Sequence, residues 1–333
     1  MKTVSAPVLL VFFTILASSC RPDHLEGMIA FYCGREGPAG VCVMNSDGSN
    51  QVKLTDGSLE VVGAPSWSPN GSSIAFAAVS DGKQADIYVL AADGSQSIRL
   101  TDDEHDDAYP VWSPDGRYIA FSSLIDDDFE TIIIRPDGTD RLNLSQSPGT
   151  DILPAWSPDG TRVAFYSTRD GNGEIYVVNV DGSGLINLTN SPADDGQPVW
   201  SPDGSQIAFS AFIEEAPDLH IMNADGSGKK SLTSGAAAEA IAWSPDGNLI
   251  AFVSSDQEDG EVHIIGLDGS SQTNLTNNPE VDLSPSWSPD GDVIALMSRR
   301  DGNAEIYRVN VDGTGLVRLT SDPGEDGIPV WQP

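Results

Sequence analysis

Residues 156–189 read WSPDGTRVAFYSTRDGNGEIYVVNVDGSGLINLT, and variants of this stretch recur along the chain. It contains short β-branched and aromatic runs bounded by turn residues, which are typical of β-strands. The Ser-Pro-Asp-Gly segment places Pro where its fixed φ suits a turn and Gly where φ can be positive. The Asp-Gly pair between two of the runs is typical of a tight hairpin. The stretch therefore predicts one hairpin-linked unit of an all-β protein.

The tryptophans set the length of the repeat, because neighbouring tryptophans are 43 to 45 residues apart. The seven positions are Trp67, Trp112, Trp156, Trp200, Trp243, Trp287 and Trp331. A fixed period of this length indicates a repeat architecture. Four strands in each period, with no helical periodicity, predict the blade of a β-propeller.

The order of the strands predicts how the ring closes. We letter the strands A (Pro-x-Trp), B (Ile-Ala-Phe), C (Ile-Tyr-Val) and D (Leu-Thr), and each recurs seven times. The chain opens with strand B at Met28 and closes with strand A at Trp331. We therefore predict an all-β, seven-bladed β-propeller over residues 28–333, with four antiparallel strands per blade. The C-terminal strand A joins the N-terminal strands B, C and D, so that no open edge remains.

The N-terminus carries an export signal. Residues 8–17 form an apolar run that is too short to span a bilayer and follows the positive Lys2. The segment before Cys20 resembles a bacterial lipoprotein signal, which implies a signal peptide over residues 1–19 and lipidation of Cys20. Residues 20–27 then form a tether, and Arg21 favours the outer membrane by the same resemblance. An ordinary cleaved signal is the alternative. We expect an exported protein, lipid-anchored in the bacterial cell envelope.

Two further cysteines, Cys33 and Cys42, fall on neighbouring strands of one predicted hairpin. An exported compartment permits disulfides. A disulfide between Cys33 and Cys42 is therefore possible, whereas two isolated cysteines are a poor basis for a metal site.

The charge balance excludes some classes of partner. The chain has 50 Asp and Glu against 17 Lys and Arg, a formal net charge of −33. No basic stripe is available for nucleic acid, and charge does not favour an anionic lipid surface. The predicted strands assign 34 of the 50 acids, but only five of the 17 basic residues, to the D–A and B–C loops of one face.

Within this acidic face, an aspartate recurs five residues before the tryptophan in five of the seven blades. These residues are Asp107, Asp151, Asp195, Asp282 and Asp326, whereas the other two blades have Val62 and Ala238. Because strand A is innermost, we expect the aspartates around one mouth of the central channel. They are candidate ligands for a calcium-like cation or for basic peptide groups. Alternatively, each aspartate caps its own turn by accepting backbone N–H bonds.

The sequence offers no clear catalytic set. His105 lies in the most acidic D–A loop but has no obvious catalytic partner, and His220 and His263 occupy a strand C position where other blades have Tyr. No Ser-His-Asp set and no Gly-x-Ser-x-Gly elbow is visible. We assign no catalytic residue and no cofactor-binding residue.

The repeated WSPDG, IAF, IYVxNxDGS and LT motifs resemble the WD-repeat-like propeller of the TolB family over residues 28–333. The resemblance implies the fold, and together with the acidic face it leads us to expect a non-catalytic scaffold of the cell envelope that binds a protein, peptide or cationic partner on that face. A component of the Tol-Pal system is a further possibility. We expect a monomer with no nucleic-acid partner and with membrane contact only through the lipid. The alternative function is binding or cleavage of a polysaccharide, with a calcium-like ion at the acidic channel mouth.

Overall fold

A computed structural model describes residues 27–35, 37–212, 216–255 and 260–333. These residues form 28 strands, arranged in seven four-stranded antiparallel sheets. The predicted seven-bladed β-propeller is thereby confirmed. Within the described ranges, no helix has the length and apolar composition needed to cross a bilayer. The predicted signal peptide, Cys20 and nearly all of the tether lie outside these ranges.

Each blade contains one strand of each lettered type, and we number the blades 1 to 7 in chain order. The inner A strands are β28 (Asp326–Trp331), β4 (Leu59–Trp67), β8 (Asp107–Trp112), β12 (Asp151–Trp156), β16 (Asp194–Trp200), β20 (Ala238–Trp243) and β24 (Asp282–Trp287). The B strands are β1 (Met28–Cys33), β5 (Ser73–Ser80), β9 (Ile119–Ile125), β13 (Arg162–Ser167), β17 (Gln206–Phe212), β21 (Leu249–Ser254) and β25 (Val293–Ser298).

The outer half of each blade consists of strands C and D. The C strands are β2 (Gly40–Asn45), β6 (Ala85–Ala91), β10 (Asp128–Ile134), β14 (Glu174–Asn179), β18 (Pro217–Asn223), β22 (Glu261–Gly266) and β26 (Glu305–Asn310). The D strands are β3 (Val52–Lys53), β7 (Ser97–Arg99), β11 (Leu142–Asn143), β15 (Ile186–Asn187), β19 (Lys230–Ser231), β23 (Thr273–Asn274) and β27 (Val317–Arg318). These outer strands have only two or three residues, and short edge strands disfavour pairing with other chains.

The ring closes in blade 1, where β28 pairs with β1 in the sheet order β28-β1-β2-β3. Trp331 lies opposite Ile29 in this pairing. Gln332 then donates a side-chain hydrogen bond of 2.9 Å to the carbonyl of Gly71 in blade 2. The two ends of the folded ring are thus joined by backbone pairing within one sheet.

The tryptophans pack between blades, as their common repeat position predicts. Trp67 of blade 2 belongs to a buried cluster that includes Ala30 and Val43 of blade 1. Its indole Nε1 also donates to the Val330 carbonyl of the preceding blade at 3.0 Å. The same inter-blade bond, at 3.0 Å, is made by Trp156, Trp243 and Trp287. Four of the seven tryptophans therefore link neighbouring blades by a hydrogen bond as well as by packing, whereas the indole N–H groups of Trp112, Trp200 and Trp331 find no partner among the described residues.

The turns have the chemistry that the sequence predicts. In blade 4, Gly160 has φ +67° and donates its N–H to the Ser157 carbonyl at 2.8 Å. The Asp159 carboxylate accepts the N–H of Thr161 at 3.0 Å. Hydrogen bonds from the turn to the carboxylate lower the pKa of Asp159, of which the largest comes from Ser157. The aspartates of these turns therefore serve the local fold.

Cys33 and Cys42 form a disulfide between β1 and β2, with a Cα–Cα distance of 5.8 Å. Both residues are fully buried and belong to a cluster that includes Phe31 and Trp331. The disulfide therefore links β1 and β2 covalently in blade 1, where the ring closes.

We predict that the Cys33→Ala/Cys42→Ala double variant is less stable than the parent by about 2–3 kcal/mol, because the bridge closes a short loop in the unfolded chain. The comparison is made on residues 21–333, by thermal melting with and without a reductant. A thiol assay should find no free thiol before reduction and two afterwards, since only these two cysteines remain. Two free thiols in the native, unreduced protein would contradict the prediction.

Candidate functional site

The centre of the ring is a largely apolar cavity of about 830 Å³, lined almost entirely by the A strands. The lining includes Pro110, Trp112, Pro154, Trp156, Pro198 and Trp200. Glu239 is the only charged residue among those that line the described cavity. A concave apolar site of this volume with few polar groups is typical of ligand-binding pockets.

A β-bulge interrupts the inner strand in every blade, and the sequence analysis missed it. In blade 3 the register shifts between Ala108 and Val111, and Tyr109 has φ +55°. One residue per blade has a positive φ at this point, namely Gly63, Tyr109, Leu153, Gln197, Ala240, Ser284 and Ile328. Left-handed backbone is costly for bulky side chains and clusters at functional sites. The bulges bring Tyr109, Leu153, Gln197, Ala240 and Ser284 into the cavity lining.

The five candidate aspartates lie behind this lining rather than on it. Each is at most 3% exposed, and each occupies a strand A position before the bulge. The structure places one in each of five separate blades and does not bring them together.

One correction concerns the blade that ends at Trp67. The residue equivalent to the aspartates is Val61, which pairs with Ala78 in the same way that Asp107 pairs with Ser123. The sequence-based choice of Val62 was wrong because the bulge in β4 contains one more residue than the others. Because of this insertion, the residue five positions before Trp67 is Val62 and not the structurally equivalent Val61.

Three of the aspartates form ion pairs with an arginine that follows strand B of the same blade. The pairs are Arg35–Asp326 at 2.6 Å, Arg169–Asp151 at 3.0 Å and Arg300–Asp282 at 3.1 Å. The arginine always lies four residues after the last residue of the Ile-Ala-Phe/Leu motif. This co-occurrence was visible in the sequence and was overlooked. These aspartates therefore orient and neutralise an arginine within their own blade.

Asp107 and Asp195 differ because their blades have Ile125 and Ile213 at the arginine position. Burial raises the pKa of Asp107 to about 6. Within the described residues, neither Asp107 carboxylate oxygen reaches hydrogen-bonding geometry. Burial likewise raises the pKa of Asp195 to about 6, although Ser191 donates to it at 2.8 Å.

A metal site is not apparent from this arrangement. Among the described residues, no group of three or more His, Cys, Asp or Glu side chains converges in a way that could hold a metal ion. The calcium-like ion thus stays a prediction from the sequence.

A second set of carboxylates explains the recurring Leu-Thr/Ser motif. In blade 4, the Thr189 hydroxyl donates to Glu174 at the start of strand C and accepts the Ile175 N–H at 2.9 Å. Equivalent pairs are Thr101–Asp86, Ser145–Glu130, Thr233–Asp218, Thr276–Glu261 and Thr320–Glu305. These acids hold strand D against strand C. Part of the negative charge of the chain therefore has a structural role.

The histidines follow two different patterns. His220 packs against Phe209 with the rings tilted by 40°, and His263 stacks on Phe252, with ring centroids 5.4 Å and 5.5 Å apart. This is the packing that Tyr176 makes with Phe165 at 6.0 Å. His105 is half-buried, and its backbone N–H donates to Asp103 at 3.1 Å.

The surface around the cavity mouth retains its negative charge. The exposed acids of the D–A and B–C segments that the structure describes are Asp56, Glu60, Asp81, Asp102, Glu104, Asp106, Asp126, Asp127, Asp170, Asp194, Glu239, Glu280, Asp301 and Glu325. Of the five basic residues assigned to this face, three neutralise buried aspartates and Arg299 pairs with Glu325 at 2.5 Å. The fifth, Lys83, is exposed.

A closed ring of seven four-stranded blades around an apolar channel defines the protein as a repeat β-propeller. The chain belongs to the TolB β-propeller domain family, whose profile matches residues 57–128, 130–240 and 234–333. The resemblance that the motifs indicated is thereby confirmed. No curated protein matches the chain.

Solved structures with the same fold have diverse activities. TolB from Acinetobacter baumannii is 20% identical with a TM-score of 0.61, and the match covers 92% of this chain and 67% of that one. An oligogalacturonate lyase from Vibrio parahaemolyticus is 15% identical with a TM-score of 0.65, covering 89% and 86% of the two chains. A puromycin hydrolase mutant is 15% identical with a TM-score of 0.73, covering 90% of this chain and 53% of that one. At this identity the likeness shows the fold alone.

We predict that Asp107→Asn stabilises the protein at pH 7.5 by roughly 2–3 kcal/mol. A carboxyl whose pKa is higher in the folded state than in the unfolded state loses stability as pH rises. Asp107 shifts from 3.8 to about 6, so this loss should fall between those two values. The gain should therefore vanish near pH 4. Melting temperatures of parent and variant between pH 4 and pH 8 test this.

Asp151→Asn is the matched control, because it leaves the half-buried Arg169 without its carboxylate. Burial raises the pKa of Asp151 as well, but the variant also leaves Arg169 without its partner, so we expect Asp151→Asn to gain clearly less stability than Asp107→Asn at pH 7.5. If Asp107→Asn were destabilising, a bound cation or another partner would have to neutralise Asp107.

Proposed function

We propose that the protein is a non-catalytic interaction scaffold of the cell envelope, which binds a basic protein or peptide on its acidic face. The observation that supports this most is that most of the basic residues on that face already form ion pairs within the protein. Four of the five are engaged by carboxylates, and most of the loop acids point to solvent without compensation. Such a surface attracts and orients a positively charged partner.

The inter-blade packing supports a scaffold in a second way. The repeated motifs are used by turns, ion pairs and strand links, which make a rigid platform. Loops on a rigid platform are common binding surfaces. Polysaccharide binding or cleavage remains the alternative that the sequence raised, and no contact among the described residues favours it specifically.

We also propose that the scaffold is exported and tethered by lipid at Cys20, through the leader over residues 1–19. The disulfide between Cys33 and Cys42 supports export, because such bonds persist in oxidising compartments.

We predict that neutralising two exposed acids of the acidic face weakens binding of a basic peptide. The variant is Glu104→Gln/Asp126→Asn, and the probe is a fluorescein-labelled oligolysine followed by anisotropy in 0.1 M salt. The dissociation constant should rise by about three- to tenfold, since each exposed ion pair contributes up to about 1 kcal/mol.

The control for this variant removes two charges from the opposite face, as Asp140→Asn/Asp292→Asn. Its effect should be small, because charges farther apart than about 10 Å are largely screened at this salt concentration. Equal weakening by the two variants would show that only net charge matters, which would overturn the proposed docking face.

We predict that Cys20→Ser in the full chain moves the protein from the membrane fraction to the soluble fraction of the producing bacterium. A thioether-linked lipid requires the cysteine, so the variant cannot be lipidated at this position. Fractionation with immunoblotting measures the distribution, and mass spectrometry of the parent should detect the acyl groups. A parent protein whose N-terminal peptide begins at Cys20 or later and carries no acyl group would contradict lipid anchoring.

A further inference from the structure

We propose that the central cavity is a second binding site, for a small ligand that combines an apolar body with one cationic group. This site is distinct from the acidic loops that would bind a basic partner. Its volume of about 830 Å³ falls within the range of small-molecule pockets. The occupant follows from the lining, which is apolar except for a few polar groups near the bulges.

The apolar part of the ligand would contact the prolines and tryptophans of neighbouring A strands. Pro110, Pro154 and Pro198 recur at one position, and Trp112, Trp156 and Trp200 recur two residues later. Burial of hydrocarbon against such a surface contributes about 25 cal/mol per Å². Among these tryptophans only Trp112 is partly exposed, and its ring can also attract a cation.

Glu239 provides the charge complementarity. The residues at its position in the other blades are Val62, Ala108, Ile152, Gly196, Leu283 and Gly327, all without charge. Glu239 itself is exposed and lies directly before the bulge residue Ala240. Ala240 donates its N–H to the Gln197 side chain of the neighbouring blade at 3.1 Å. The backbone next to this single carboxylate is thus fixed to the neighbouring blade.

The repeat explains why this position is informative. Residues that maintain the ring recur in most blades, as the tryptophans and the carboxylate–hydroxyl pairs do. Glu239 occurs once, in blade 6, which also has Ala238 in place of the buried aspartate. Blade 6 therefore has its carboxylate one residue later along strand A than the five blades with a buried aspartate, at a position that lines the cavity. Structural symmetry does not require this change.

The test uses two probes that share an alkyl chain, octylammonium and octanol, with purified residues 21–333 and isothermal titration calorimetry. We expect saturable binding of both probes, with the ammonium binding more tightly. Glu239→Gln should weaken octylammonium by about tenfold, equivalent to about 1.4 kcal/mol, and leave octanol unchanged. Glu280→Gln removes one exposed charge from the same face outside the cavity and should change neither affinity.

A steric variant tests the location independently. Ala240→Tyr places an aromatic side chain at the position that Tyr109 already occupies in blade 3, with nearly the same φ. It should therefore fold, and it should weaken both probes by narrowing the cavity. Melting temperature verifies the fold.

Three results would overturn the proposal. The first is an absence of saturable binding by either probe. The second is equal weakening of octylammonium by Glu239→Gln and Glu280→Gln, which would indicate general attraction to the face. The third is that neither alkyl probe binds, whereas oligolysine binds and Ala240→Tyr weakens its binding. This result would make the occupant a peptide segment. The oligolysine experiment with Glu104 and Asp126 can fail or succeed separately from all three.

Discussion

The pairing of β28 with β1 is the constraint on which the remaining structure depends. It makes blade 1 a composite of both ends of the chain, so that each blade has two neighbours. The tryptophans can then pack between blades around a closed circle, with indole hydrogen bonds from four of the seven. Without this pairing, blade 7 and blade 2 would expose the apolar sides that they now bury against blade 1. The disulfide lies in this same blade, where it reinforces the closure.

Closure also determines the character of the channel. Seven inner strands meet around one axis, and their tryptophans pack against the neighbouring blades, while Trp112, Trp156 and Trp200 also reach the cavity lining. The rest of the lining consists mainly of the prolines two residues before these tryptophans and of residues at the bulges. The cavity is therefore apolar although the chain carries a net charge of −33. The negative charge resides on the loops, whereas the recurring aspartates are buried within the blades.

The sequence was sufficient for the fold because the tryptophan period and the turn motifs are local signals that repeat. It also located the five aspartates and the cysteines of the hairpin. It could not show the bulges, since a left-handed Tyr109 or Ile328 has no compositional signature. The roles of the aspartates depended on a partner elsewhere in the blade, as with Arg169 and Asp151. Side-chain pairing of this kind follows from strand register, which the tryptophan count alone does not supply.

A repeat protein separates structural from functional residues in a way that most folds do not. A residue present in most blades has a physical role that every blade shares, as Thr189 and Glu174 illustrate. A residue that breaks the repeat has no such role, and its cost must be offset by something specific. An exposed carboxylate at an apolar wall weakens no strand link, yet it disfavours any neutral, fully apolar occupant by the desolvation that contact would impose. A cation with an apolar body avoids that penalty, which is why Glu239 is the strongest guide to what the channel accepts.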